Sequence, residues 1–281
     1  MLAMALAFGA SLSWGSGDFV GGLKSRRLPL LTVLLTSQVA ALSVIAATFL
    51  IAGAGIGGSA FVIYAAAAGA VQILGLAAYY RALSFGAMGV AAPITATGVL
   101  IPLAVGLASG ERLSALETLG VLCAVGGVLL VSYQPRHAPG RGSTVAIGVG
   151  MALLGGLGFG AFYVLMEEAS SRGEIVSAVL VNRIAVFAIL ATGALVLGIR
   201  PSSLSGGDWR DVTLVGVLAV GATLLFATAT TKGLLSLVSV LASLYPVVTI
   251  LLARFVLGER VRRSQQLGAA AALAGVGMIT A

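Results

Sequence analysis

Gly110-Glu111-Arg112 recurs as Gly258-Glu259-Arg260, 148 positions along the chain, and each copy follows a long apolar run. At the same offset Leu119-Gly120 falls on Leu267-Gly268, and Gly127-Val128 falls on Gly275-Val276. Nearer the head of each half, at an offset of 145, Trp14-Gly15 falls on Phe159-Gly160 and Ser37-Gln38 falls on Asn182-Arg183. In a chain with 39 glycines, matched small residues mean little. A Gly-Glu-Arg triplet followed by Leu-Gly at fixed spacing means more, and the chain reads as a duplicated unit.

The composition sets what that unit is made of. Of 281 residues, 59% are hydrophobic and 9% are charged. A soluble domain carries about 25% charged residues to face water. This chain cannot supply them, so most of its outer surface must face lipid. A bilayer-spanning helix takes about 20 apolar residues. Apolar runs separated by turn or charge signals give ten such helices, at 2–22, 30–52, 59–80, 87–109, 114–132, 144–166, 175–198, 211–231, 235–257 and 264–281. The stretch 134–143, with two prolines and two glycines, cannot continue a helix. It separates a first unit, 1–133, from a second, 144–281. The expectation is an all-α integral membrane protein of the cell membrane, multi-pass, with no separate soluble domain.

Five spans per unit is an odd number. If the first unit enters the membrane from one side, the second enters from the other, so the two five-helix repeats are inverted, as in many secondary transporters. The basic residues agree with this. Odd-numbered connectors hold twelve Lys and Arg: Lys24, Arg26, Arg27, Arg81, Arg136, Arg141, Arg200, Arg210, Arg254, Arg260, Arg262 and Arg263. Even-numbered connectors hold three, Arg112, Arg172 and Lys232. By the positive-inside rule this places odd connectors in the cytoplasm and both termini outside.

Several function classes are poorly supported. The formal charge of +7 sits in short clusters between apolar runs, which suits topology control and anionic lipid rather than nucleic acid. Cys123 is the lone cysteine and His137 the lone histidine, so neither a thiolate metal cluster nor a Ser/His or Cys/His nucleophile is expected, and no metal or cofactor. Gly15-Ser16-Gly17 lacks the spacing of a phosphate-binding loop. Met1 to Gly22 runs directly into Lys24-Ser25-Arg26-Arg27 and reads as a first span rather than a cleaved leader.

Trp14-Gly15 early in the first span, the basic connector after it, and the apolar helix ending in Gly-Glu-Arg in each half resemble the drug/metabolite transporter superfamily. Leu244-Tyr245-Pro246-Val247-Val248 followed by Leu257-Gly258-Glu259-Arg260 is similar to the second repeat of its ten-span EamA-type branch. The resemblance runs the length of the chain. It implies a 5+5 inverted bundle around a central cavity, and export or exchange of small metabolites such as amino acids. Family members are commonly placed with both termini in the cytoplasm, and the loop charges of this sequence depart from that.

Polar residues inside spans usually face an internal cavity, because a charge at mid-membrane costs about 2.5–3.5 kcal/mol on insertion scales. Arg183, beside Asn182, could grip a carboxylate or phosphate with paired hydrogen bonds, or snorkel to the interface. Asn182 and Gln38 could bind solute or tie helices together. Asp18 could carry a coupling proton, or pair with nearby bases such as Lys24. Pro93 and Pro102 in the fourth span and Pro246 in the ninth interrupt corresponding helices, and broken helices mark binding sites in such folds. Trp14, Tyr163 and Tyr245, with Tyr79 and Tyr80, could line an aromatic cavity or form an interface belt. Glu111 and Glu259 read as polar locks at helix ends, and Glu167-Glu168 as a water-facing helix terminus. Trp14, Gln38, Tyr163, Asn182, Arg183 and Tyr245 are thus the candidate solute contacts. The reading is a non-enzymatic secondary transporter of a small molecule. Its rivals are a membrane-embedded enzyme acting on lipid, and a channel or non-transporting membrane partner. Oligomeric state is open.

Overall fold

The computed structural model describes residues 1–84, 88–133, 142–258 and 262–281. Glu259, Arg260, Arg136, His137, Arg141 and most of the 134–143 connector lie outside the described residues. The helices are α1 (Leu2–Ser25), α2 (Leu30–Ala52), α3 (Ser59–Ser84), α4 (Met88–Ala96), α5 (Leu100–Ala108), α6 (Ala115–Ser132), α7 (Gly142–Arg172), α8 (Ile175–Val196), α9 (Gly206–Thr230), α10 (Leu235–Ala242), α11 (Tyr245–Leu257) and α12 (Arg263–Thr280), with a 3₁₀ turn at Thr97–Val99 joining α4 to α5. Among the described residues there is no strand.

Eight helical units are long and apolar enough to cross a bilayer, counting Ala91–Ala108 and Leu235–Leu257 each as one interrupted unit. The chain is a multi-pass integral membrane protein. Large apolar side chains stand outward along these units, among them Leu122, Leu154, Ile184 and Leu195. In water such a surface would aggregate; in a bilayer it is the solvated one. The helices α1 and α12 have 24 and 18 residues but are less apolar than the other units.

Local chemistry sets where helices begin and end. Pro29 precedes α2, and Gly53, at φ +61, ends it. Ser114 and Glu117 form a capping box that starts α6. Two boundaries differ most from the sequence expectation. The helix α9 starts at Gly206, not 211, because Ser205 and Asp208 cap it and carry Trp209-Arg210-Asp211 into its first turns. The helix α7 continues to Arg172, past Glu167-Glu168, and Glu168 pairs with Arg172 one turn on instead of ending the span.

Cross-chain contacts define two ends of the bundle. At one, Lys24 pairs with Asp208 at 3.0 Å and Asp211 at 2.6 Å, and Ser202 N donates to Thr32 Oγ1 at 3.0 Å. This end joins the first and seventh connectors, which carry Lys24, Arg26, Arg27 and Arg200, and is the basic end. At the other, Gly55 N donates to Glu174 Oε2 at 3.1 Å, Ser177 Oγ donates to the Gly55 carbonyl at 2.7 Å, and Gly233 abuts Ala3. This terminal end carries Met1 and Ala281.

Glycines bring helices into backbone contact in the interior. A Cβ at Gly69 on α3 would come within 2.5 Å of the Asn182 carbonyl on α8, and one at Gly216 on α9 would strike the Ser37 carbonyl on α2. Gly120 and Gly127 on α6 meet Gly275 and Gly268 on α12 in antiparallel register. The unit Leu235–Leu257 is the most enclosed, with 61% of its span window buried against 33–44% in the other seven units, so it runs through the middle of the bundle.

Candidate functional site

Two interrupted helices meet at the centre. Pro102 has no N–H to offer the Gly98 carbonyl four residues back, and the chain tightens into the 3₁₀ turn there. Pro246 likewise cannot bond Ala242, and the helix breaks at Ser243-Leu244 before resuming at Tyr245. Thr249 Oγ1 donates to the Gly15 carbonyl at 3.0 Å, and a Cβ at Gly15 would lie 2.5 Å from Val248 Cβ. The start of α11 is thereby pinned to the middle of α1. Pro93 sits inside α4 and lines a shallow outward groove with Ile94, Thr97, Leu130 and Tyr133.

Beside these breaks lies a cavity of about 510 Å³, within the range of small-molecule sites. Its lining includes nine of the sequence-selected residues, Trp14, Asp18, Gln38, Tyr79, Tyr80, Tyr163, Arg183, Tyr245 and Pro246. Asn182 and Pro102 are not part of that lining. Asn182 is fully buried at the α8–α3 crossing, and its carboxamide has no partner among the described residues. Gly22, Ser25 and Leu30 are also part of the lining, so the cavity extends to the basic end.

Arg183 is 2% exposed. Its terminal nitrogen donates to Thr223 Oγ1 on α9, and that hydroxyl donates in turn to the Ala219 carbonyl at 2.9 Å. The Arg183 Nε has no partner among the described residues. Gln38, 7% exposed, and Gln72 on α3 each bring an unpartnered carboxamide oxygen to the same cavity. A buried guanidinium with free donor capacity can hold a planar anion such as a carboxylate, and the unpartnered carboxamide oxygens can accept from a donor such as an ammonium group. Asp18 is exposed to the cavity nearer the basic end.

One wall is aromatic. Trp14 lies 6.1 Å from Phe162 and from Tyr163 and 6.0 Å from Phe226, with Tyr163 and Phe226 at 4.8 Å. Sequence reading missed Phe162, Phe226, Thr223 and Gln72. Gln72 was legible as a carboxamide inside an apolar run, as Gln38 was. Thr223 gave no signal, being one of several threonines on α9.

Residues 146–281 match the EamA-like transporter family. No curated protein matches the chain. Among solved proteins, one crystal structure superposes with a TM-score of 0.78 at 20% identity, covering 99% of this chain and 96% of its own. That likeness shows a shared fold over nearly the whole length of both. Over residues 146–281, then, the chain is similar to the EamA-like transporter family, and over nearly its whole length it shares the fold of that solved protein.

Proposed function

We propose that the protein is a secondary transporter, an exporter or exchanger, of a small carboxylate-bearing metabolite such as an amino acid, working by alternating access between two inverted five-helix repeats. The observation that carries it is Arg183, buried yet lining the central cavity with its Nε free of protein partners. Gln38 and Gln72 would complete the polar contacts, Trp14, Tyr163 and Tyr245 the apolar ones, and Asp18 would carry a coupling proton.

Inversion is supported by contacts that recur with the halves exchanged. Gly69 and Gly216 occupy matching places 147 positions apart, and Ser37 and Asn182 occupy matching places 145 apart. Gly69 lies on the Asn182 carbonyl, and Gly216 on that of Ser37. Gly15 meets the Tyr245 carbonyl and Val248, while Gly160 meets the Gly98 carbonyl and Ile101. Gly120 meets Gly275, whose counterpart Gly127 meets Gly268, itself the counterpart of Gly120. Gly110 and Gly258 both take a positive φ, +94 and +66. Reciprocal contacts of this kind are what a two-fold axis generates. On this reading the less apolar α1 and α12 are the first and last of ten spans, one from each half, and the units are 1–133 and 144–281.

The test is solute flux into proteoliposomes across a panel of amino acids and other carboxylates, with and without an imposed solute or pH gradient. Saturable, counter-flow-stimulated uptake is expected. Flux that rises linearly with concentration would replace the transporter by a channel, and lipid turnover without flux would favour an enzyme.

A further inference from the structure

The cavity reaches the basic end, so transport requires a second path, to the terminal end. Among the described residues, none of the cavity lining comes from α5 or α10. What occupies that path is α10 itself. All eight of its residues, Leu235–Ala242, are buried, with Leu237, Val238, Val240 and Leu241 packed in the same apolar core as Ala3, Ala7 and Val99. The helix is separated from α11 by the break at Ser243-Leu244, and α11 is held to α1 through Gly15. A bend in this unit would fall at Ser243-Leu244, between α10 and the part pinned at Gly15.

The helix begins without a cap of its own. Its N-cap residue is Leu234, which has no side-chain oxygen to accept the free N–H groups of the first turn. Glu111, from the other half of the chain, supplies both acceptors. Oε1 accepts from Leu235 N at 2.6 Å and Oε2 from Ser236 N at 3.0 Å. The charge sits at the positive end of the helix. The aim of Glu111 is set by its own turn. Glu111 N donates to the Gly106 carbonyl at 3.0 Å and Gly110 N to that of Leu107 at 3.1 Å, the pattern of a helix end that needs a left-handed residue, here Gly110 at φ +94. Gly106 leaves room for the carboxylate, since a Cβ there would strike Glu111 Oε2 and Ser236 Oγ. Among the described residues, the remaining polar tie from α10 to another part of the bundle is Ser236 Oγ donating to the Leu103 carbonyl at 3.4 Å.

We propose that Glu111 is the latch of the terminal gate: its bidentate cap on α10 holds the cavity shut at the terminal end, and releasing it lets α10 swing out on Ser243-Leu244. The proposal rests on the alternating-access reading, but its test needs no known solute. In a chain carrying Cys123→Ser, the replacement Ser239→Cys puts one thiol of nearly native size on α10, at a side chain that is fully buried and has no partner among the described residues. Labelling by a membrane-impermeant maleimide from the terminal face should be slow. Adding Glu111→Gln or Glu111→Ala should speed it by about tenfold or more, the loss expected when a charge-assisted hydrogen bond goes, with Glu111→Asp in between. Equal rates in all four chains would overturn the latch. Should the variants fail to insert, hydrogen exchange of the unaltered protein in nanodiscs decides: strong protection of residues 235–242 is expected, and exchange as fast as a loop would overturn it. Latch and transporter readings fail separately. Faster labelling with no flux for any solute removes the transporter and keeps the gate, whereas saturable flux with unchanged labelling does the reverse.

Discussion

Arg183 and Thr223 are linked across the α8–α9 interface: the guanidinium donates to the threonine hydroxyl, and the hydroxyl donates in turn to the Ala219 carbonyl at 2.9 Å. Thr223 is 0% exposed. It occupies one donor of the guanidinium, while Nε keeps no partner among the described residues. Arg183→Ala should abolish flux of anionic and zwitterionic solutes while the protein remains folded in membranes. Arg183→Lys should recover little, because a point charge cannot reproduce a two-pronged contact. Proteoliposome uptake with quantified reconstitution is the measurement, and undiminished flux in Arg183→Ala would reduce the residue to a structural role.

Thr223→Val separates binding from positioning. It keeps the volume and removes the acceptor, so a guanidinium donor loses its partner and the group is free to reorient. Apparent affinity should fall by about tenfold, corresponding to one lost hydrogen bond to a charged group, with a smaller change in maximal rate. A variant that matches the native chain in both parameters would show that Thr223 does not orient Arg183.

Asp18 lies toward the basic end on α1, exposed to the cavity. If it carries the coupling proton, Asp18→Asn should leave exchange of labelled for unlabelled solute intact and remove the response to an imposed pH gradient. Retained pH-driven accumulation in Asp18→Asn would place coupling elsewhere.

The span pattern was legible because hydrophobicity in a bilayer is a one-dimensional signal. Eight of the expected spans reappear as long apolar units, with the runs at 30–52 and 235–257 recovered to the residue. The errors at α7 and α9 share a cause: polar residues at a helix end look like loop until capping and one-turn pairing, such as Ser205 with Asp208 or Glu168 with Arg172, are seen. The site was legible where a polar side chain was costly in lipid, as for Arg183, Gln38 and Asp18. Thr223 and Phe226 were not, because a hydroxyl or an aromatic costs little in a membrane helix and only the helix crossing shows what each faces. Glu111 was read as a lock at its own helix end, and the partner that it caps, 124 residues away, is set by tertiary structure alone.

The crossings at Gly69 and Gly216 offer a stability test. A methyl group at either must displace a carbonyl of the neighbouring helix, because both sites face backbone rather than a pliable side chain. Gly69→Ala and Gly216→Ala should each cost about 1–3 kcal/mol, as overpacking does. Gly193→Ala, on α8 with nothing within 4 Å of its Cβ, should be neutral or slightly stabilising. Thermal unfolding in detergent reads the difference, and equal midpoints for the three would contradict the packing.

Orientation decides which state this structure represents. The basic end holds Lys24, Arg26, Arg27, Arg200 and Arg210, and the terminal end holds few bases, so the positive-inside rule directs the basic end to the cytoplasm. With Cys123→Ser, single thiols at Ser203→Cys and Ala281→Cys should then behave differently in intact cells. Impermeant maleimide should label Ala281→Cys directly and Ser203→Cys only after permeabilisation. The cavity extends to the basic end, so that result would make this the inward-facing state, loading from the cytoplasm, with α10 and Glu111 as the exit gate. The reverse labelling would follow the family's usual arrangement and make the same structure outward-facing, with the latch on the cytoplasmic side. Labelling of both thiols in intact cells would mean that the chain inserts both ways. Then the twelve-to-three distribution of bases would be too weak to fix a topology that the near-equivalence of the two halves leaves balanced.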